Sequence, residues 1–254
     1  MLTKYYILLS VIIYSFSYGA EVADNAGGNA VNEKFKFIKE IYSESWALII
    51  GINKYQNVDH LQFAVNDAKK IKSLLVEQYG FPKGNIRYLI DKEATKNNVL
   101  DSICNYDLIY FATHGISNSE NPLENSFLVL SESDDSSAYF SLSEIMNIRK
   151  ECSLHADLVV LSACQTGLGK SHEGGIIGLA RSFQIAGANH VVMSLWNIDD
   201  EKTATFMSFF FEELRKSNDL MPHEALRQAT LRFKSEIDND PKYWAAFSIF
   251  GVPY

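Results

Sequence analysis

Apolar and polar positions along the chain fall into blocks of two kinds. Trp46-Ala47-Leu48-Ile49-Ile50-Gly51-Ile52 and Asp157-Leu158-Val159-Val160-Leu161-Ser162 are near-continuous apolar runs of strand length. A run without polar alternation predicts a strand buried on both faces of a parallel sheet. Asp107–Thr113, His190–Trp196 and the shorter Ile86–Ile90 and Phe247–Phe250 complete the set of strand segments. Between them the period changes. Val65, Ala68, Ile71, Leu75 and Tyr79 recur at helical spacing, and Gly80 stands where a helix C-terminus favours glycine. Further helices are expected over about Gly174–Ala186, Glu201–Lys216 and Pro222–Ile237. Phe127–Leu130 and Ala138–Phe140 read as a hairpin insertion with polar Ser131–Ser137 at its tip. Alternation of strands and helices at these lengths predicts an α/β fold, a mostly parallel central sheet of about six strands with helices on both faces.

The amino terminus follows a different pattern. After Lys4, Tyr5–Tyr18 is free of charge, and Ser17 and Gly19 place small residues where a signal peptidase reads. Residues 1–19 therefore read as a signal peptide, short for a membrane span. The expectation is an exported protein, periplasmic or secreted; retained uncleaved, the same segment would be a membrane anchor. Residues 20–45 read as a linker or tether with a loosely packed helix near Phe35–Ile41, and 46–254 as one domain.

Composition narrows the function classes. With 254 residues, 47% of them apolar, and 16 Phe, 13 Tyr and 3 Trp, the chain can bury a full core and is not a disordered polymer. A net charge of −8 offers no electrostatic footprint for nucleic acid, so no DNA or RNA partner is expected. Three cysteines are too few for a disulfide scaffold. Cys104 and Cys152 read first as small buried hydrophobes, with mutual pairing the alternative in an exported protein.

Candidate chemistry gathers where two core strands end. In parallel sheets ligands sit at the carboxyl ends of the strands, and here those ends read Thr113-His114-Gly115 and Ser162-Ala163-Cys164. A thiol needs a base to become a useful thiolate, and an imidazole on a neighbouring strand supplies one. Backbone N–H groups at Gly115 and Cys164 would form a donor pair for a tetrahedral oxyanion. Taken singly, Cys164 reads as an inert core thiol and His114 as a satisfied core imidazole; together, with Gly115 and Gly167 trailing them, they read as a nucleophile and its base. Asp67 shares a helix face with Phe63, Ile71 and Leu74, so it either turns inward or serves as a first-turn helix acid. Asp199 and Asp200 either supply negative charge to a site or start the helix that follows. No cofactor is called for. His155, His172 and His190 are isolated, and no metal cluster of zinc type is present in the pattern.

These residues carry a resemblance. Tyr110-Phe111-Ala112-Thr113-His114-Gly115, Leu161-Ser162-Ala163-Cys164-Gln165-Thr166-Gly167 and Gly178-Leu179-Ala180-Arg181-Ser182-Phe183 resemble the CHAT family, a branch of the caspase-like (clan CD) cysteine peptidases related to separases. Gly187-Ala188, Val191–Asn197 with Asp199-Asp200, Ala225-Leu226 and Trp244–Gly251 agree, so the resemblance spans about Trp46 to Val252. It implies a caspase-like fold and a cysteine endopeptidase. His114 and Cys164 would be its dyad, Gly115 and Cys164 its oxyanion hole, and a protein or peptide its substrate. Because the chain has no helical repeat array to act as a sensor, an activator would be a separate protein. Gly51-Ile52-Asn53-Lys54-Tyr55 and Ala64-Val65-Asn66-Asp67-Ala68 look more like metacaspases, in which the acid at Asp67 helps hold a basic side chain before the scissile bond. Two positions depart from that pattern: Ser162 stands where metacaspases carry a second acid, and Ala64 where they often carry a cysteine. Asp67, Ser162, Asp199 and Asp200 are thus the substrate-binding candidates. The alternative function is a non-catalytic signalling or interaction module built on the same fold.

Overall fold

The computed structural model describes residues 44–116, 118, 121–162, 173–196, 198–216 and 221–251. The segment expected to be a signal peptide, most of the expected tether with the helix expected near Phe35–Ile41, and Cys164 lie outside the described residues. Nine strands are described: β1 (Ala47–Gly51), β2 (Ile86–Ile90), β3 (Leu108–Ala112), β4 (His114–Ile116), β5 (Phe127–Val129), β6 (Tyr139–Ser141), β7 (Leu158–Leu161), β8 (His190–Ser194) and β9 (Phe247–Gly251). The helices are α1 (Ala64–Leu74), α2 (Lys96–Leu100), α3 (Pro122–Asn125), α4 (Leu142–Glu151), α5 (Glu173–Ala186), α6 (Asp200–Lys216), α7 (Pro222–Glu236) and α8 (Pro241–Trp244).

The central sheet runs β2-β1-β3-β7-β8-β9, parallel except for β9 at one edge. Every residue of β1, β3, β7 and β8 is buried, whereas β2 at the other edge alternates. Continuous apolar runs thus became interior strands because helices cover both faces. Tyr110 packs toward Phe211 of α6, with ring centroids 6.2 Å apart. Its neighbour Phe111 points to the opposite face, against Phe183 of α5 at 5.6 Å. This is the expected α/β architecture.

Gly51 sets how closely α1 lies on β1. A Cβ there would stand 2.7 Å from the Ala68 Cβ and 2.9 Å from the Ala64 carbonyl oxygen, so only glycine admits this contact. Beyond Leu74 the helix widens into a π-helical turn, Leu75–Tyr79, and ends at Gly80 in the left-handed conformation (φ 82°).

The expected hairpin is present as β5 and β6, but it belongs to a larger unit. His114–Ile116 pairs antiparallel with β5, making a second sheet in the order β4-β5-β6. His114 therefore does not hang in a loop after β3; it opens a strand. Helix α4 has no counterpart among the expected elements, although its start is legible: Ser141 and Glu144 form a reciprocal capping box. Lys96, nearly buried, donates from Nζ to the Tyr139 carbonyl (2.9 Å) and to Glu144 Oε1 (2.7 Å), tying α2 to this cap. Burial by itself would raise the Glu144 carboxyl pKa. The hydrogen bonds from Lys96 and Ser141 outweigh it and hold the group below its usual value.

Cys104 and Cys152 correct the first reading of them as buried hydrophobes. Both are half-buried, and they form a disulfide with Cα atoms 6.0 Å apart, a separation that fits a crosslink. Cys104 lies in the turn before β3 and Cys152 directly after α4, before β7. The crosslink thus ties together the chain entering β3 and the chain entering β7.

Two stability predictions follow from these contacts. The crosslink closes a 48-residue separation, and loop-closure entropy then gives about 4 kcal/mol. Urea unfolding of the Cys104→Ala/Cys152→Ala variant should show a loss of that order, and an unchanged midpoint would mean the crosslink constrains nothing. The lowered Glu144 pKa contributes stability that is present above the unfolded-state value and is lost as pH falls through the folded one. The stability difference between wild type and Lys96→Met should therefore be largest near neutrality and shrink below about pH 4. Equal differences at both pH values would count against the pair.

Candidate active site

The site is built on the adjacency of β3 and β7. Phe111 stands opposite Leu161, and the ladder continues past the strand end where the Ser162 N–H donates to the Phe111 carbonyl (2.8 Å). His114 stands one residue beyond β3, after Thr113, and Ser162 is the last described residue before the segment that contains Cys164. The two strand ends singled out in the sequence are therefore neighbours.

His114 is 3% exposed and held at three points. Its backbone N–H donates to the Tyr55 hydroxyl (3.0 Å), which in turn donates to the Val129 carbonyl (3.4 Å). Its ring lies against the Tyr55 ring, centroids 4.9 Å apart. Its Nε2 is 2.7 Å from the Asp59 carbonyl oxygen. A carbonyl oxygen only accepts, so Nε2 carries the proton, and in the neutral imidazole the lone pair resides on Nδ1. Among the described residues Nδ1 has no hydrogen-bond partner. A buried imidazole with one nitrogen fixed as donor and the other uncommitted has the makings of a general base.

The loop that holds His114 is itself pinned. Asp91 Oδ1 accepts from the backbone N–H groups of Asn53 (2.8 Å) and Lys54 (3.1 Å). Asp91 takes positive φ (45°), a conformation Asp tolerates because its side chain can bond nearby backbone. Asn53 Oδ1 accepts from Val65 N–H (3.0 Å), supplying α1 with the amino-terminal acceptor that Phe63 cannot. Sequence reasoning assigned no role to Tyr55, Asp59 or Asp91. Asp59 acts through its carbonyl, which no side-chain pattern announces. Asp91 acts through a turn conformation.

Asp67 turns inward, the first of its two readings: it is 6% exposed on the buried face of α1. It lies within the electrostatic reach of Tyr110, whose hydroxyl stands beside that of Ser162. Tyr110 is fully buried, so its phenol pKa is raised first by desolvation and second by the Asp67 charge, with Ser162 acting weakly against both. The structure thus brings Asp67 and Ser162 together around a tyrosine that the pattern treated as a strand residue. Asp199 is exposed, and its Oδ1 accepts from the N–H groups of Glu201 (3.1 Å) and Lys202 (3.2 Å). It is the N-cap of α6, and Asp200 is that helix's first residue. Gly115 is buried in β4, in register with Leu128. Among the described residues, no group of three or more His, Cys, Asp or Glu side chains is gathered tightly enough to hold a metal ion.

Similarity to known proteins bears on the fold that carries this geometry. The family profile of the CHAT domain matches residues 21–252. Tetratricopeptide repeat protein 28 of Mus musculus is 28% identical over 192 residues, which make up 64% of this chain and 8% of that protein. Metacaspase-6 of Arabidopsis thaliana is 43% identical over 49 residues, 19% of this chain and 13% of that one. The chain therefore spans only a small part of the curated relatives it matches. Among solved structures, the Arg-specific cysteine proteinase gingipain R (RgpB of Porphyromonas gingivalis) superposes with a TM-score of 0.51 at 13% identity, over 87% of this chain and 52% of that one. Separase in the Saccharomyces cerevisiae separase–securin complex gives 0.50 at 16% identity, over 87% of this chain and 13% of that one. At such identities the likeness shows the fold alone, and the fold is caspase-like.

The Tyr110 environment makes an alkaline prediction. The folded protein holds this proton more tightly than the unfolded chain, so its contribution is whole below about pH 10 and declines above it. Urea unfolding across pH 8–11, a range set about the usual phenol value of roughly 10, should show a shallower alkaline decline for Tyr110→Phe than for wild type. Parallel slopes would contradict a buried, neutral phenol.

Proposed function

The chain belongs to the CHAT-domain family and has the fold of the caspase-like cysteine peptidases; from that premise we propose that it is a cysteine endopeptidase working through His114 and Cys164. The observation that carries this reading is the state of His114: Nε2 committed to the Asp59 carbonyl, Nδ1 left with its lone pair. Cys164 follows Ser162 by two residues, a length of chain that spans at most about 7 Å. Since β7 adjoins β3, that reach is compatible with a thiol–imidazole pair.

In this mechanism Nδ1 takes the Cys164 proton and the thiolate sulfur attacks the peptide carbonyl. The tetrahedral oxyanion is held by backbone N–H groups of Gly115 and Cys164. His114 then returns the proton to the departing amine, leaving a thioester that water hydrolyses with His114 again as base. The Asp59 carbonyl keeps the imidazole in the competent tautomer and disperses the positive charge that forms on it.

Substrates in this reading are proteins or peptides. A basic residue before the cut is favoured by Asp67, which shares a buried polar cluster with Tyr110 and Ser162, the last standing where metacaspases carry a second acid. Of the other acids, Asp199 already caps α6. Export is supported by the Cys104–Cys152 disulfide, since such bonds persist in oxidising compartments. A separate activator protein completes the proposal; a non-catalytic interaction module is its rival.

The test is cleavage of a proteome-derived peptide library, with new amino termini sequenced, for wild type, Cys164→Ala and His114→Ala. Cuts that vanish in Cys164→Ala and slow by at least about a hundredfold in His114→Ala are expected, with Lys or Arg before the cut reduced in Asp67→Ala. Normal turnover in either dyad variant would sink the assignment. A folded wild type that neither cuts nor reacts with a thiol-directed acylating probe would favour the interaction module.

A further inference from the structure

Beside His114, across Tyr55, lies a cavity of about 930 Å³ that the mechanism above does not use. Its walls include Tyr55, Val58, Tyr88, Ile90, Val129 and Tyr139. Two of these are the residues nearest His114: Tyr55 bonds its backbone and packs on its ring, and Val129 stands opposite it in the β4–β5 ladder. The remaining wall comes from the segment after β1, from β2 and the turn after it, and from the β5–β6 hairpin, with Tyr139 44% exposed. The loop and the hairpin are joined by Asn57 Nδ2 donating to Glu132 Oε1 (2.5 Å). So the cavity is a half-open groove with more apolar than polar wall surface, lined also by Lys54, His60, Asp91, Lys92, Glu93 and Glu132, and bounded by two elements that also hold His114.

Its direction is set by the sheet. In the order β2-β1-β3-β7, the strand leading to Cys164 lies on one side of β3 and the cavity on the other. When a thiolate attacks a peptide bond, the acyl half stays on the sulfur and the amine half leaves with a proton from the imidazole. A general acid must lie within hydrogen-bond reach of that amine. A substrate crossing the carboxyl edge of the sheet with its acyl half on the β7 side therefore carries its leaving half past His114, toward β1 and β2. This cavity lies in that direction.

We propose that the cavity receives the leaving-group side of a peptide substrate and selects a bulky apolar or aromatic side chain among the first residues after the cut. The inference rests on the His114–Cys164 reading for its direction, and its chemistry is that of the wall: apolar and aromatic surface filled by an apolar side chain.

The experiment separates the two ideas. The Cys164→Ala protein, full chain, is titrated by calorimetry with the free-amine tripeptide amides Phe-Leu-Ala and Gly-Ala-Gly, which mimic leaving products. Phe-Leu-Ala should bind at least on the order of tenfold more tightly, the discrimination expected of a filled apolar pocket. Val58→Asp and Tyr139→Ala, each added to Cys164→Ala, should erase that difference while the melting temperature holds. Val58 is partly buried and Tyr139 is exposed, and neither is among the groups bonded to His114. Equal affinity of the two peptides, or an unchanged preference in both variants, overturns the cavity assignment. In the cleavage assay, Cys164-dependent cuts without apolar enrichment after the scissile bond overturn it as well. Selective peptide binding in the absence of any Cys164-dependent cutting sinks the peptidase reading and leaves the cavity as a peptide site.

Discussion

Parallel pairing of β3 with β7 is the constraint on which the rest depends. Phe111 and Leu161 stand opposite one another, and the Ser162 N–H closes on the Phe111 carbonyl. That register brings the strand leading into His114 next to the strand leading toward Cys164. A sheet with another strand between them would separate the two ends by a further strand spacing, about 4.8 Å. Both strands are buried on both faces, so their position is locked by two layers of side chains rather than by hydrogen bonds alone. At their opposite ends the Cys104–Cys152 disulfide joins the incoming segments. The same strand pair is therefore crosslinked where it begins and carries the candidate chemistry where it ends.

A second constraint acts through the segment after β1. Gly51 lets α1 lie against the sheet, and Asn53 then bonds to Asp91, Val65 and Gln62. Within the span so anchored, Tyr55 and Asp59 grip the imidazole from two sides. Rigid support of this kind is what a general base needs, because a tautomer is maintained only while its partner stays within hydrogen-bond distance. The anchoring residue, Asp91, belongs to the turn after β2, the sheet's edge strand. An arrangement at the centre of the sheet is thus held from its periphery.

Polar groups in the interior follow the same economy. Asp67, Tyr110 and Ser162 are all buried, and burial of a carboxylate without compensation is costly. Their grouping keeps the phenol neutral and gives the acid polar company. Lys96 shows the complementary solution, a nearly buried cation with a carbonyl and a carboxylate as partners. The two clusters differ in purpose. Lys96 and Glu144 join a helix cap to a neighbouring element, whereas the Asp67 group lies beneath the carboxyl ends of β3 and β7.

Much of this was legible along the chain. The continuous apolar runs announced interior parallel strands, since a strand covered on both faces has no polar side to alternate with. Helical spacing ending at Gly80 announced α1 and its stop. His114 and Ser162-Ala163-Cys164 stood out because reactive side chains ended two such runs. What the sequence could not reveal is whatever depends on backbone atoms or on neighbours distant along the chain. The acceptor for His114 is the carbonyl of Asp59, a group every residue possesses. The second sheet arises because His114–Ile116, which the pattern placed beyond the strand ending at Thr113, pairs with β5. The disulfide links cysteines separated by 48 positions, and only the juxtaposition of the β3 and β7 entry segments selects that pairing over burial. Sequence by itself determined the strands of the central sheet, the helices α1, α5, α6 and α7 and the reactive residues, because these are properties of local pattern and side-chain chemistry. Tertiary structure decided the tautomer, the crosslink and the cavity beside His114, because each is made by groups that meet only when the strands have found their order.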